Sequence, residues 1–83
     1  MRAEHLLPDT LNQTVIDGVT IRKGTVGAFL LNARVWLEPS TSASQRAGIE
    51  ADLCEALPAL RALGLFEVLD IRDPALRAWI AAH

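Results

Sequence analysis

Glu50, Asp52 and Glu55 stand close together in the chain and are the first candidates for acid–base chemistry. Such work needs a carboxyl group tuned by burial or by a charged neighbour. On a helix these three fall mainly off the stripe of Ile49, Leu53, Ala56, Leu57 and Leu60, so the pattern favours a solvated face. His5 and His83 lie far apart in sequence, with no Cys or acidic cluster beside either. That is not the ligand spacing of a zinc site. The single Cys54 excludes an internal disulfide and a cysteine metal cluster, and it suits a buried helix face.

Gly24-Thr25-Val26-Gly27 resembles a glycine-rich phosphate loop only superficially, since a P-loop needs two glycines five apart. A P-loop places Lys and Ser or Thr after the second glycine, whereas Lys23 precedes the first. Asp17, Asn32 and Arg34 are the polar groups a small accessory enzyme would use at a subunit boundary. No nucleophile–base arrangement accompanies them: the chain has no Tyr, and Ser occurs only within residues 40–44. The sequence therefore assigns no catalytic, cofactor-binding or metal-ligating residue.

The element that would position any site is a helix over Gly24–Leu37. Val26, Phe29, Leu30, Ala33, Trp36 and Leu37 recur at helical spacing, and Ala28, Leu31 and Val35 make a second stripe. Thr25 is the expected N-cap, and Pro39 ends the helix. Asn32 is the one amide in this stretch. A helix apolar on two sides needs cover on both, and a chain of 83 residues has few elements to supply it. The expectation is a homo-oligomer, a dimer first, with Phe29, Asn32 and Trp36 at or beside the subunit contact.

Upstream, Gln13-Thr14-Val15-Ile16-Asp17-Gly18-Val19-Thr20-Ile21-Arg22 predicts a β-hairpin. A type I′ turn needs positive φ at both central residues, which Asp-Gly accepts. The turn pairs Ile16 with Val19 and Thr14 with Ile21 on the core face, leaving Val15 and Thr20 outside. Residues 1–11 are expected as a loosely ordered lead-in, with Leu6, Leu7 and Leu11 tucking onto the core. Residues 40–44 are a polar loop in which Ser42 and Gln45 have capping-box spacing. Pro58 is expected to break or kink the following helix at Leu57, and Gly64 to end it. Leu65–Ile71 suits a strand, with Phe66 and Val68 alternating around Glu67, and equally a helical turn through Leu65, Phe66 and Leu69, with a slight lean to the turn. Asp73-Pro74 opens a last helix with Leu76, Trp79 and Ile80 inward, and Asp73 can pair with Arg77. The fold class is α+β in one domain: a hairpin packed on a central apolar helix, then two or three further helices.

The order Asp17-Gly18, Gly24-Thr25-Val26, Leu30 with Asn32, Leu57-Pro58-Ala59-Leu60 and Gly64-Leu65-Phe66 resembles a small uncharacterised bacterial family found among the mobile gene cassettes of integrons. The resemblance spans about residues 16–66. Arg22-Lys23 departs from the polar, uncharged lead into the Gly-Thr-Val turn that the family shows. The resemblance implies the order of hairpin, central helix and further helices, and a cytoplasmic bacterial setting. It implies no catalytic residues.

Charge narrows the function classes. The net charge is −2, and no basic stripe runs along any segment. That opposes a nucleic-acid footprint, and no second helix carries the reading face of a helix-turn-helix protein. No apolar run reaches membrane-spanning length and no signal core opens the chain, so the expected location is the cytoplasm. The leading expectation is a homo-oligomeric binding or adaptor module with itself as first partner. A small accessory enzyme and a helix-turn-helix DNA binder follow it.

Overall fold

The computed structural model describes residues 13–83. Two strands, β1 (Gln13–Ile16) and β2 (Val19–Arg22), pair antiparallel. Four helices follow: α1 (Thr25–Leu37), α2 (Ala43–Leu63), α3 (Leu65–Val68) and α4 (Pro74–Ala81). This is the α+β order expected from the sequence. The lead-in over residues 1–11, with Leu6, Leu7 and Leu11, lies outside the described residues.

The hairpin turns at Asp17 and Gly18, whose φ angles of 50° and 78° are the positive pair a type I′ turn demands. Its register sets Ile16 opposite Val19 and Thr14 opposite Ile21. Ile21 is buried while Val15 is exposed, so the faces fall as the alternation indicates. β2 lies chiefly against α2, the longer helix. A hydrogen bond from the Thr25 hydroxyl to the Arg22 carbonyl, 2.8 Å, ties β2 to α1. Thr25 is thereby not the N-cap. Gly24 holds that position at φ 81°, and Thr25 is the first helical residue.

Helix α2 opens with the capping box: Ser42 Oγ accepts from the Gln45 amide at 3.1 Å, and Gln45 Oε1 accepts from the Ser42 amide at 3.1 Å. The helix thus begins at Ala43, inside the stretch expected as loop. It then runs through Pro58 to Leu63 as one helix, so of the break or kink expected at Leu57 the break does not occur. A proline inside a helix forfeits a backbone hydrogen bond and costs about 3 kcal/mol. Here Leu53 and Leu57 before it and Leu60 after it are all buried in one core. Burying each such side chain contributes about 1.5–3 kcal/mol, so packing on both sides of Pro58 outweighs the local cost. Gly64, at φ 78°, closes the helix and leads into the α3 turn.

The core joins Phe29, Ala33 and Trp36 of α1 to Leu53, Leu57 and Leu60 of α2 and to Leu76 and Ile80 of α4. Phe29 meets Phe66 edge to face, with ring centroids 6.1 Å apart. Asp73 caps α4 by accepting from the Leu76 amide at 2.9 Å. Its expected pairing with Arg77 is replaced: Arg77 donates to the Ile71 carbonyl at 3.0 Å and lies 3.6 Å from Asp70. A carboxylate engaged in capping is turned toward the helix start, away from the side chain one turn on.

Candidate functional site

Among the described residues, cover on α1 is confined to one side. With 3.6 residues per turn, Phe29, Ala33 and Trp36 fall within one narrow arc and face α2. The remaining arc carries Val26, Gly27, Ala28, Leu30, Leu31, Arg34, Val35 and Leu37, every one exposed. Leu31 and Leu30 are 63% and 56% exposed. Arg34 is the single polar residue among these eight. The first sequence stripe is therefore divided, since Val26, Leu30 and Leu37 share it with core residues but face outward. Gly27 lies in the middle of the outward arc, and a Cβ added there would meet nothing within 4 Å.

Phe29 and Trp36, expected at a subunit contact, are core residues of their own chain. Trp36 is held on three sides. Its indole Nε1–H donates to Glu50 Oε2 at 2.9 Å, the Arg46 guanidinium lies 4.9 Å above its ring, and Trp79 packs beside it at 6.4 Å. These placements move the candidate contact surface round the helix, from Phe29 and Trp36 to Leu30, Leu31 and Val35. They also separate Glu50 from Asp52 and Glu55, because Glu50 is committed to the indole. Sequence reasoning gave Glu50 no partner. The available signal was that a buried Trp N–H needs an acceptor.

Asn32, the third expected contact residue, faces the other way. It is half-buried and lines a hollow of about 330 Å³ between β2, α1 and α2. The apolar lining of the hollow is Ala28, Phe29, Ala56 and Ala59. Its polar lining is Thr20, Arg22 and Thr25 on the hairpin side, then Asn32, and Asp52 and Glu55 from α2. Arg34 sits on the opposite side of α1, and Asp17 is in the hairpin turn. The trio named for an accessory enzyme is thus not brought together.

Among the described residues no cluster of three or more His, Cys, Asp or Glu could hold a metal ion. His5 lies outside the described residues, and His83 stacks on Trp79 with centroids 4.1 Å apart. No helix among the described residues is long and apolar enough to cross a membrane. Comparison with family models, curated proteins and solved structures finds no match to this chain.

Proposed function

We propose that this chain is a small binding or adaptor module that works as a homo-oligomer, a dimer built on the outward face of α1. The observation that carries the reading is the continuous apolar arc of that helix, interrupted by Arg34 alone. Soluble chains rarely leave so contiguous a patch in water unless something covers it.

A second copy of the same chain fits the pattern of residues. A two-fold axis between Leu30 and Leu31, with the helices antiparallel, sets Leu30 against the partner's Leu31 and Val26 against the partner's Val35. The same register sets Arg34 against the partner's Gly27. The one polar side chain then meets the one position without a side chain, where there is open space. Such self-complementarity is what an isologous interface requires. The exposed portions of Val26, Leu30, Leu31, Val35 and Leu37 amount to about two and a half whole side chains. Covering them contributes about 5 kcal/mol per chain, or about 10 kcal/mol per dimer. Association costs about 4–15 kcal/mol, so the expected dimer is concentration-dependent, not permanent.

Light scattering on the eluting protein across a micromolar dilution series tests this. The parent should move from the mass of one chain toward that of two. Leu31→Glu puts like charges together at the axis and should remain monomeric with an unchanged circular dichroism spectrum. A parent that stays monomeric throughout, or a Leu31→Glu protein that dimerises as the parent does, refutes the reading. The motif order over residues 16–66 supports placing the chain in the integron-cassette family, and with it a cytoplasmic setting. Fractionation of a bacterial host expressing the chain tests the second point, with recovery outside the cytoplasm counting against it.

A further inference from the structure

We propose that the hollow between β2, α1 and α2 binds a free, small, apolar α-amino acid. Three small residues make the space. Ala28 of α1 and Ala56 and Ala59 of α2 leave a gap beside the Phe29 ring, and about 330 Å³ is ample for a side chain of three or four carbons.

The walls carry opposite charges. Arg22, at the end of β2, lies on one side. Asp52 and Glu55, one helical turn apart, lie on the other. All three residues are exposed, at the mouth of the hollow, and among the described residues none of them makes an ion pair, although all line the same space. Asn32 joins them with a half-buried amide that makes no hydrogen bond among the described residues. An amine alone would answer the carboxylates and leave the guanidinium unmet. A carboxylate alone would do the reverse, beside two like charges. A zwitterion satisfies both walls: its ammonium between Asp52 and Glu55, its carboxylate at Arg22, with the guanidinium suited to a two-point contact. Asn32 can then donate to the carboxylate, and the ligand's branched carbon chain covers Phe29 and the alanines. Ala28 is the one residue of the outward arc that also lines the hollow, whose other α1 walls are Thr25, Phe29 and Asn32.

The test is a nitrogen-15 NMR titration of the full chain with three probes of one shape. L-valine carries both charges, isobutylamine lacks the carboxylate, and isovalerate lacks the ammonium. Valine should give saturable shifts at Thr20, Thr25, Ala28, Asn32 and Glu55. Each single-charge probe should bind about tenfold more weakly or worse, the value of one lost charge-assisted hydrogen bond. Arg22→Gln, an exposed change that leaves the fold intact, should bring valine down to the level of isobutylamine. Ala56→Leu should fill the space and abolish the shifts. The proposal is overturned if valine gives no saturable shifts at millimolar concentration, if isobutylamine binds as well as valine, or if Arg22→Gln binds valine like the parent.

Discussion

Gly27 and Gly48 offer a matched pair of perturbations on two helices of this chain. Neither has positive φ, and a Cβ added at either would meet no atom within 4 Å. Alanine is favoured over glycine in a helix interior by about 1 kcal/mol, chiefly because glycine loses more backbone freedom on folding. Gly48→Ala in α2 should therefore raise stability by about that amount, or roughly 4–8 °C in melting temperature for a domain this size. Gly27→Ala in the first turn of α1 should raise the stability of the monomer by about 0.5–1 kcal/mol. The two part company once chains associate. In the antiparallel register a methyl at position 27 enters the space that receives the partner's Arg34. Overpacking of this kind costs about 1–3 kcal/mol, which weakens the dimer by roughly 5- to 150-fold. Thermal melts at low concentration, read alongside light scattering through a dilution series, separate the effects. If Gly27→Ala and Gly48→Ala gain equally and dimerise like the parent, the register is wrong. If Gly27→Ala is less stable even as a monomer, part of the chain covers the outward arc and the face is not open.

Gly18→Val adds a side chain into open space but forces a β-branched residue to φ 78°, so it should cost about 1–2 kcal/mol in urea unfolding. An unchanged midpoint would mean the turn is not the tight one described. Leu53→Ala, at a position with no exposed surface, should cost about 2–5 kcal/mol, with a loss under 1 kcal/mol contradicting its place in the core. Trp36→Phe removes the hydrogen bond to Glu50 and part of the ring, for about 2–3 kcal/mol. Glu50→Gln keeps an acceptor and should cost under about 1 kcal/mol, with Trp79 or Trp36 fluorescence reporting each transition. Equal losses in these two variants would show that the carboxylate charge, not the presence of an acceptor, holds the indole. Asn32→Leu should leave stability within about 0.5 kcal/mol, since the amide holds no partner among the described residues, while weakening any valine binding about tenfold through the lost donor.

The features legible in the sequence are those whose chemistry is local. Asp17-Gly18 dictates its turn from two φ angles, and Ser42 with Gln45 satisfies a helix end from within four residues. Asp73-Pro74 and Gly64 act in the same way. Pro58 shows the limit of local reasoning. Its cost is local, but the burial of Leu53, Leu57 and Leu60 that offsets it depends on α1 and α4, which no window around the proline contains. Thr25 shows a second limit. Its hydroxyl had two uses, the first turn of its own helix or the last carbonyl of β2, and the chain's path through Gly24 decided for the strand.

The candidate surfaces follow from a choice that periodicity cannot make. Spacing alone tells which residues of α1 share a face, but with both faces apolar it does not tell which face α2 will cover. Side-chain chemistry settles it. Trp36 needs an acceptor for its N–H, and α2 carries Glu50 where it can supply one, with Arg46 one turn earlier to lie over the ring. Phe29 finds an edge-on aromatic partner in Phe66 of α3, just beyond the end of α2. No arrangement that turned Leu30, Leu31 and Val35 inward would use those partners. The aromatic residues are drawn into the chain's own core, and the aliphatic face is left outside. Ala28, Ala56 and Ala59 leave space beside Phe29, so the inner hollow and the outer apolar face both adjoin one helix, α1.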